Sequence, residues 1–227
     1  YRNLPAMSPA RAAEQVVGDL VSEPKIRDSL FIATKLSISS RDAGLKQLEQ
    51  SFKRLQTSKI DLIAVHNLRD TQTHLRTLRE WQQQDRIRYV GITTSFDNQY
   101  QDFEQTMKGE KLDFIQVDYA LDNRDAGERI IPLAADRGMA VMINLPFGRG
   151  RLFQAVQGRA LPAWAAGFDC ASWAQFFLKY IVSHPAVTCC VPGTARVDYL
   201  LDNLGAAQGR LPDAAPRRRM EEFIDRL

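Results

Sequence analysis

The sequence predicts an α/β fold built on parallel strands, and three observations carry that prediction. Short apolar, β-branched runs recur six times along the chain. Each is followed by a longer stretch whose apolar residues fall three and four apart, as in Leu45, Leu48, Phe52 and Leu55. The runs are continuously hydrophobic rather than alternating, which is the mark of strands buried on both faces. Strand alternating with helix, without long hydrophilic linkers, implies crossover helices joining parallel strands.

In order, a helix is expected over Ala12 to Val21, and then the first strand over Ser29 to Leu36 (SLFIATKL). The following strands are expected over Lys59 to His66 (KIDLIAVH), Ile87 to Thr93 (IRYVGIT) and Leu112 to Asp118 (LDFIQVD). The last two are Met139 to Asn144 (MAVMIN) and Val187 to Pro192 (VTCCVP), with a helix over Val197 to Ala206 after them.

Two parallel architectures compete. An open dinucleotide-binding sheet should carry G-x-G-x-x-G after its first strand, and no such motif occurs. The G-x-G within Phe147-Gly148-Arg149-Gly150 lies deep in the second half and lacks the third glycine. A closed (β/α)8 TIM barrel instead gathers functional side chains at the carboxyl ends of its strands. Those ends here present Lys35, His66, Thr93 with Thr94, Gln116 with Asp118, Asn144, and Gly193 with Thr194. The barrel is the expected fold, with six units of about 32 residues recognisable from Phe31 onward. Two more units are expected on the amino side, where too few residues stand to hold them.

Composition narrows the function. Of 227 residues, 30 are Lys or Arg and 27 Asp or Glu, so the net charge is +3, and no basic face points to nucleic acid. Hydrophobic residues are 44%, ordinary for a globular chain, and no apolar run approaches the roughly 18 residues of a membrane span. The basic run Arg217-Arg218-Arg219 reads as a solvated helix face. Cys170, Cys189 and Cys190 form no C-x-x-C pair, and His66, His74 and His184 show no zinc spacing, so no metal is expected. Unpaired cysteines suit a reducing cytoplasm, although an exported mature form would read the same way.

The strand ends resemble the aldo-keto reductase superfamily. FIATK (31–35) resembles its third strand, ending in the lysine of the catalytic tetrad, and DLIAVHN (61–67) the fourth, ending in the catalytic histidine. RIRYVGIT (86–93) is similar to the fifth and DFIQVDY (113–119) to the sixth, whose glutamine contacts the nicotinamide amide. VPGT (191–194) followed by DNLGAA (202–207) resembles the cofactor-phosphate loop and helix after the eighth. The resemblance runs from about residue 14 to the carboxyl end, so strands three to eight of the barrel are recognisable and strands one and two are not. It implies NADPH-dependent reduction of a small aldehyde or ketone, with hydride passing to the carbonyl carbon and a tyrosine protonating the oxygen. A lysine lowers that tyrosine's pKa, an aspartate holds the lysine and a histidine orients the carbonyl.

Lys35 and His66 match this tetrad, while the tyrosine and aspartate of the family's D-x-x-x-x-Y-G segment have no counterpart. YRNLP at the start resembles the amino-terminal hairpin of family members, yet it nearly adjoins the helix around Glu14. A single barrel domain over residues 1–227 is therefore expected, interrupted near residues 5–8 where a segment carrying two strands belongs. The alternative is an NADPH-binding regulatory barrel without turnover. By the same resemblance, Thr93, Thr94, Gln116 and Asn144 are expected at the nicotinamide, although Asn144 stands where many members have a stacking aromatic. Phe147, Gly148 and Arg149 are expected along the pyrophosphate, and Gly193, Thr194 and Arg196 at the 2′-phosphate. Asp202 and Asn203 either touch adenine or face solvent, and Trp164 and Trp173 either wall the substrate pocket or pack.

Overall fold

A computed structural model describes residues 9–22 and 26–227. The YRNLP stretch and the expected interruption near residues 5–8 lie outside the described residues. The fold class is α/β with parallel strands, and the described residues divide into two compact units: those up to 93 with 112–114, and residues 94–111 with 115–227.

The first unit runs α1 (Pro9–Ser22), β1 (Ala33–Leu36), α2 (Arg41–Leu55), β2 (Ile60–His66), α3 (Thr71–Gln83) and β3 (Ile87–Thr93). Its three strands are parallel and lie in chain order. Six of the seven β2 residues are buried, which is why this stretch reads as unbroken hydrophobic sequence. β1 is shorter than expected because Arg27–Ser29 forms a 3-10 turn, closed by the Ser29 N–H to the Ile26 carbonyl at 2.9 Å. Arg27 also pairs with Asp61 at 2.9 Å, and the same carboxylate oxygen accepts the Ile32 N–H at 2.9 Å, fixing the start of β1. Beneath the strands, Phe31, Tyr89 and Phe114 cluster with ring centroids 5.4 to 6.0 Å apart. α1 lies close on the end of α2, where a Cβ at Gly18 would fall on the Arg54 carbonyl.

The second unit runs α4 (Tyr100–Gly109), β4 (Phe114–Asp118, from Ile115), α5 (Ile130–Asp136), β5 (Ala140–Asn144) and α6 (Arg151–Ala155). It continues through α7 (Trp173–Val182), β6 (Cys189–Cys190), α8 (Val197–Gly205) and α9 (Ala214–Ile224). α7 is the core helix: Phe176 through Ile181 are all buried. Even Lys179 is fully buried, its ammonium donating to the Gln208 and Arg210 carbonyls at 2.6 and 3.0 Å. Trp164 and Trp173 pack with Phe176 and with Phe223 of α9, at centroid distances of 5.3 to 6.2 Å.

β6 falls short of the expected Val187 to Pro192. Its pairing with β5 extends one residue each way, through Thr188 N–H to Val141 O at 2.9 Å and Val191 N–H to Ile143 O at 2.8 Å. As the last strand in the order it is bonded along one side only among the described residues. The expectation of a solvated Arg217–Arg219 face holds at Arg218 and Arg219, both exposed, and needs correction at Arg217. Arg217 turns inward, donating to the Tyr180 carbonyl and to Ser183 Oγ at 2.7 Å while its guanidinium covers the Tyr180 ring at 4.2 Å. Arg219 lies over Trp164 at 4.5 Å, and Arg218 is exposed.

Candidate active site

Lys35 sits near the carboxyl end of β1 and His66 ends β2. Lys35 is in register with Ala64, and His66 with Thr93. Side chains repeat every two residues along a strand, so Lys35, His66 and Thr93 project from one face of the first unit's sheet. Lys35 is half-buried, and burial alone holds its ammonium below the ordinary lysine range. His66 is likewise held below the ordinary imidazole range by burial first, then by the positive charges of Lys35 and Arg69. It is therefore a neutral imidazole near neutral pH, able to accept or pass a proton. Thr93 is buried, and its carbonyl accepts the Asn67 N–H at 2.7 Å.

In the second unit, Thr94, Gln116 and Asn144 are brought together. The Thr94 N–H donates to the Gln116 carbonyl at 3.0 Å, and Asn144 Nδ2 donates to the Thr94 carbonyl at 3.3 Å. The Thr94 hydroxyl bonds Gln99 Oε1 at 2.6 Å. Asn144 Oδ1 is buried without a hydrogen-bond partner among the described residues. A buried acceptor of this kind asks for a donor, and a carboxamide NH2 is one.

Phe147 anchors the next loop by packing on Phe153 at 4.9 Å and Phe177 at 6.5 Å. Gly148, Arg149 and Gly150 then follow one another in the left-handed region, at φ 55°, 56° and 92°. Glycine is required at 148, because a Cβ there would fall on the Asp122 carboxylate. Asp122 also accepts Arg151 Nε at 2.9 Å, which occupies that arginine, whereas Arg149 is exposed. This loop lines one wall of a cleft of about 530 Å³ whose other walls include Asp97, Asp118, Asn123 and Arg124.

Asp118, which the sequence places with Gln116 at the same strand end, was given no role of its own there. Asp118 is 4% exposed and accepts from Tyr100 Oη at 3.0 Å and Asn123 Nδ2 at 2.9 Å. Burial nonetheless pushes its carboxyl up, and Asp97 adds to the shift. A carboxylate at the end of an apolar run was its only sequence signal.

Gly193 and Thr194 are exposed ahead of α8, and Thr194 Oγ1 accepts the Arg196 N–H at 3.1 Å. Arg196 is not a waiting cation: it forms a fork with Asp198, with Nε to Oδ1 at 3.1 Å, and covers the Tyr199 ring at 4.0 Å. Asp202 turns toward α7, where its two oxygens accept Ser172 Oγ at 2.7 Å and Gln175 Nε2 at 2.8 Å. Asn203 is buried beside it.

The profile of the Aldo/keto reductase family matches residues 9–218. The chain belongs to this family. It is 28% identical over 153 residues to aldo-keto reductase YhdN of Bacillus subtilis, covering 62% of this chain and 45% of that protein. It is 22% identical over 251 aligned residues to probable aldo-keto reductase 1 of Glycine max, covering 90% of this chain and 69% of that one. Among solved structures, an aldo/keto reductase of Klebsiella pneumoniae in complex with NADP and acetate superposes with a TM-score of 0.77 at 23% identity. That superposition covers 94% of this chain and 76% of the Klebsiella chain. The likeness establishes the fold as that of the (β/α)8 barrel reductases. The chain thus spans less than half of the YhdN length. No helix among the described residues is long and apolar enough to cross a membrane.

Proposed function

We propose that this chain takes part in NADPH-dependent reduction of a small aldehyde or ketone. The observation that carries the reading is the placement of Lys35 and His66 on one sheet face at successive strand ends, in a chain of this family. Bound NADPH would supply the hydride. His66, neutral at its strand end, orients the carbonyl through a hydrogen bond. Lys35 supplies the adjoining amine.

The unpartnered Asn144 Oδ1 supports a nicotinamide carboxamide at the second unit's strand ends, with Thr94 and Gln116 fixed beside it. The left-handed turn Phe147–Arg149 and the loop Gly193, Thr194 and Arg196 are assigned to the phosphates. For a 2′-phosphate, Arg196 must exchange its Asp198 partner for the ligand. Asp202, half-buried with its carboxylate already satisfied, and Asn203, buried, are assigned to the adenine end by their place in the family pattern alone. The soybean alignment runs over 251 residues although 90% of this chain is only about 204, so the relative carries sequence this chain lacks. Extra sequence in the relative is in keeping with one barrel domain that lacks a segment, which we place near residues 5–8.

A second reading, cofactor binding without turnover, is favoured by a specific feature. Among the described residues, no hydrogen bond or ion pair joins the Lys35 ammonium to a tyrosine or an aspartate. NADPH titration by fluorescence, followed by NADPH oxidation with a panel of small carbonyls, separates the two. Saturable binding is expected, weakened about tenfold in Asn144→Leu, the order of one lost hydrogen bond. Binding with no oxidation by any carbonyl selects the second reading, and absence of binding overturns both.

A further inference from the structure

The segment that follows β1 is held by side chains from α2 and α3. Gln47 on α2 grips its first turn twice: Nε2 donates to the Lys35 carbonyl at 3.0 Å, and Oε1 accepts the Ser37 N–H at 3.2 Å. His74 on α3 is fully buried, and its Nε2 donates to the Ile38 carbonyl at 2.5 Å. Asp70, just ahead of α3, accepts the Ser40 N–H on Oδ2 at 2.8 Å. The His74 ring fits between the helices because residue 44 on α2 is glycine, where an added Cβ would lie 2.7 Å from the imidazole Cε1.

These bonds join the two strand ends that display Lys35 and His66. Lys35 opens the held segment, and Asp70 and His74 follow His66 through a short turn into α3. That turn is closed on itself by the Arg69 N–H to the His66 carbonyl at 3.2 Å. Both connections carry non-glycine residues at positive φ: Ser40 at 73° after β1, and Asn67, Leu68 and Asp70 at 52°, 52° and 51° after β2. Backbone of this kind persists where its surroundings over-determine it, and it clusters at functional sites. Side chains fixed on helices are a frame rigid enough to hold reacting groups in place.

We propose that Gln47, Asp70 and His74 are positioning residues that yoke the end of β1 to the end of β2 and so set Lys35 against His66. The inference rests on the reading of Lys35 and His66 as the pair that meets the carbonyl. In this role none of the three touches substrate. Gln47 acts through the Lys35 carbonyl, fixing the point from which the four-carbon stem leaves the strand. Asp70 and His74 tie the same segment to the helix that begins just after His66, so neither strand end shifts without the other. A displacement of about 1 Å between groups that must act together is costly to the rate.

The test reads the pair through the titration of His66, followed by NMR at its imidazole Cε1–H. The chain has three histidines, and His66→Gln assigns the signal. The charged groups bearing on this imidazole are Lys35 on β1 and Arg69 in the turn after β2. Gln47→Ala and Asp70→Ala are each expected to move the titration upward, because Lys35 loses its fixed distance. In a Lys35→Met background neither should move it, which is the coupling a double-mutant cycle isolates. Asp70→Asn keeps an acceptor for the Ser40 N–H and should titrate as the parent does. With NADPH and propionaldehyde, kcat should fall about tenfold or more in Gln47→Ala while KM changes by less than about twofold, the split of lost orientation. Circular dichroism verifies that the variants fold. A His66 titration that is unmoved or lowered in Gln47→Ala and Asp70→Ala overturns the proposal, as does an upward shift that survives in Lys35→Met or a kcat that stays at the parent value. The reductase reading fails separately. A parent chain that oxidises no NADPH removes that reading, while a titration shift that depends on Lys35 still upholds the yoke.

Discussion

β2 and α8 are both written in strongly apolar sequence, IDLIAVH against VDYLLDNLG, and they meet opposite fates. In β2, Ile60, Ile63 and Val65 are fully buried, with β1 bonded on one side, β3 on the other and α3 packed against them. In α8, Val197 is 73% exposed and Leu201 64%, and Leu200 and Leu204 are exposed as well. The helix is fastened to α7 through Asp202, with Asn203 buried beside it, and its apolar stripe is exposed. The spacing of Val197, Leu200, Leu201 and Leu204 declares a face suited to burial. It does not declare whether the chain supplies the surface that covers it. Contiguous exposed apolar stripes of this kind are uncommon on soluble chains.

The comparison is broken most severely on the β2 side. Ile63→Ala empties a site with no solvent exposure at the centre of a three-stranded region. Truncations of this type cost about 2 to 5 kcal/mol, from lost transfer energy plus the cavity. Urea unfolding should show a correspondingly lower midpoint at an unchanged slope. A loss below about 1 kcal/mol would mean that β2 is not the core its burial describes.

The same contrast explains what the sequence reveals. β3 is found where expected, Ile87–Thr93, and β2 to within one residue, because neighbours on both sides let the apolar run coincide with the strand. Val187 to Pro192 carries the same signal, but with pairing along one side only Cys189 and Cys190 remain as strand. The places of Lys35 and His66 near strand ends were legible because each closes an apolar run. The bond from Tyr100 to Asp118 joins residues 18 apart on different elements, and no spacing rule reports it. Arg217 looked solvated for a related reason: its partners Tyr180 and Ser183 sit on and just after α7, over 30 residues away. The Arg196 fork with Asp198, two residues on, is local and could have been anticipated.

A smaller effect sharpens the comparison within the active-site face. His66 is held below the ordinary imidazole range by burial, Lys35 and Arg69, and His184 by burial and then Arg217. In the unfolded chain each imidazole takes up its proton near pH 6.5, while in the folded chain uptake waits for a lower pH. Between those two values the unfolded state binds more protons, so stability falls as pH drops below about 6.5. The slope cannot exceed about 1.4 kcal/mol per pH unit for each group. Urea midpoints from pH 7.5 to 5 should show the decline, and His66→Gln should make it shallower. An identical slope in that variant would show that the face around Lys35 and His66 is open enough to protonate freely.

The smallest change is expected where the apolar stripe is wet. Leu201→Ala removes side-chain atoms that water mostly reaches already, so the transfer term that dominates at Ile63 nearly vanishes. The expected shift is within about 0.5 kcal/mol, the ordinary range for surface substitutions away from special features. Alanine's better helix propensity offsets part of even that. Paired with Ile63→Ala in the same urea series, the measurement asks whether α8 is bare in solution. If Leu201→Ala instead cost 2 kcal/mol or more, something would be covering the stripe. Its unfolding midpoint would then rise with protein concentration if the cover were a second copy, because mass action couples association to stability. A midpoint independent of concentration and unmoved by the substitution is what an exposed face requires.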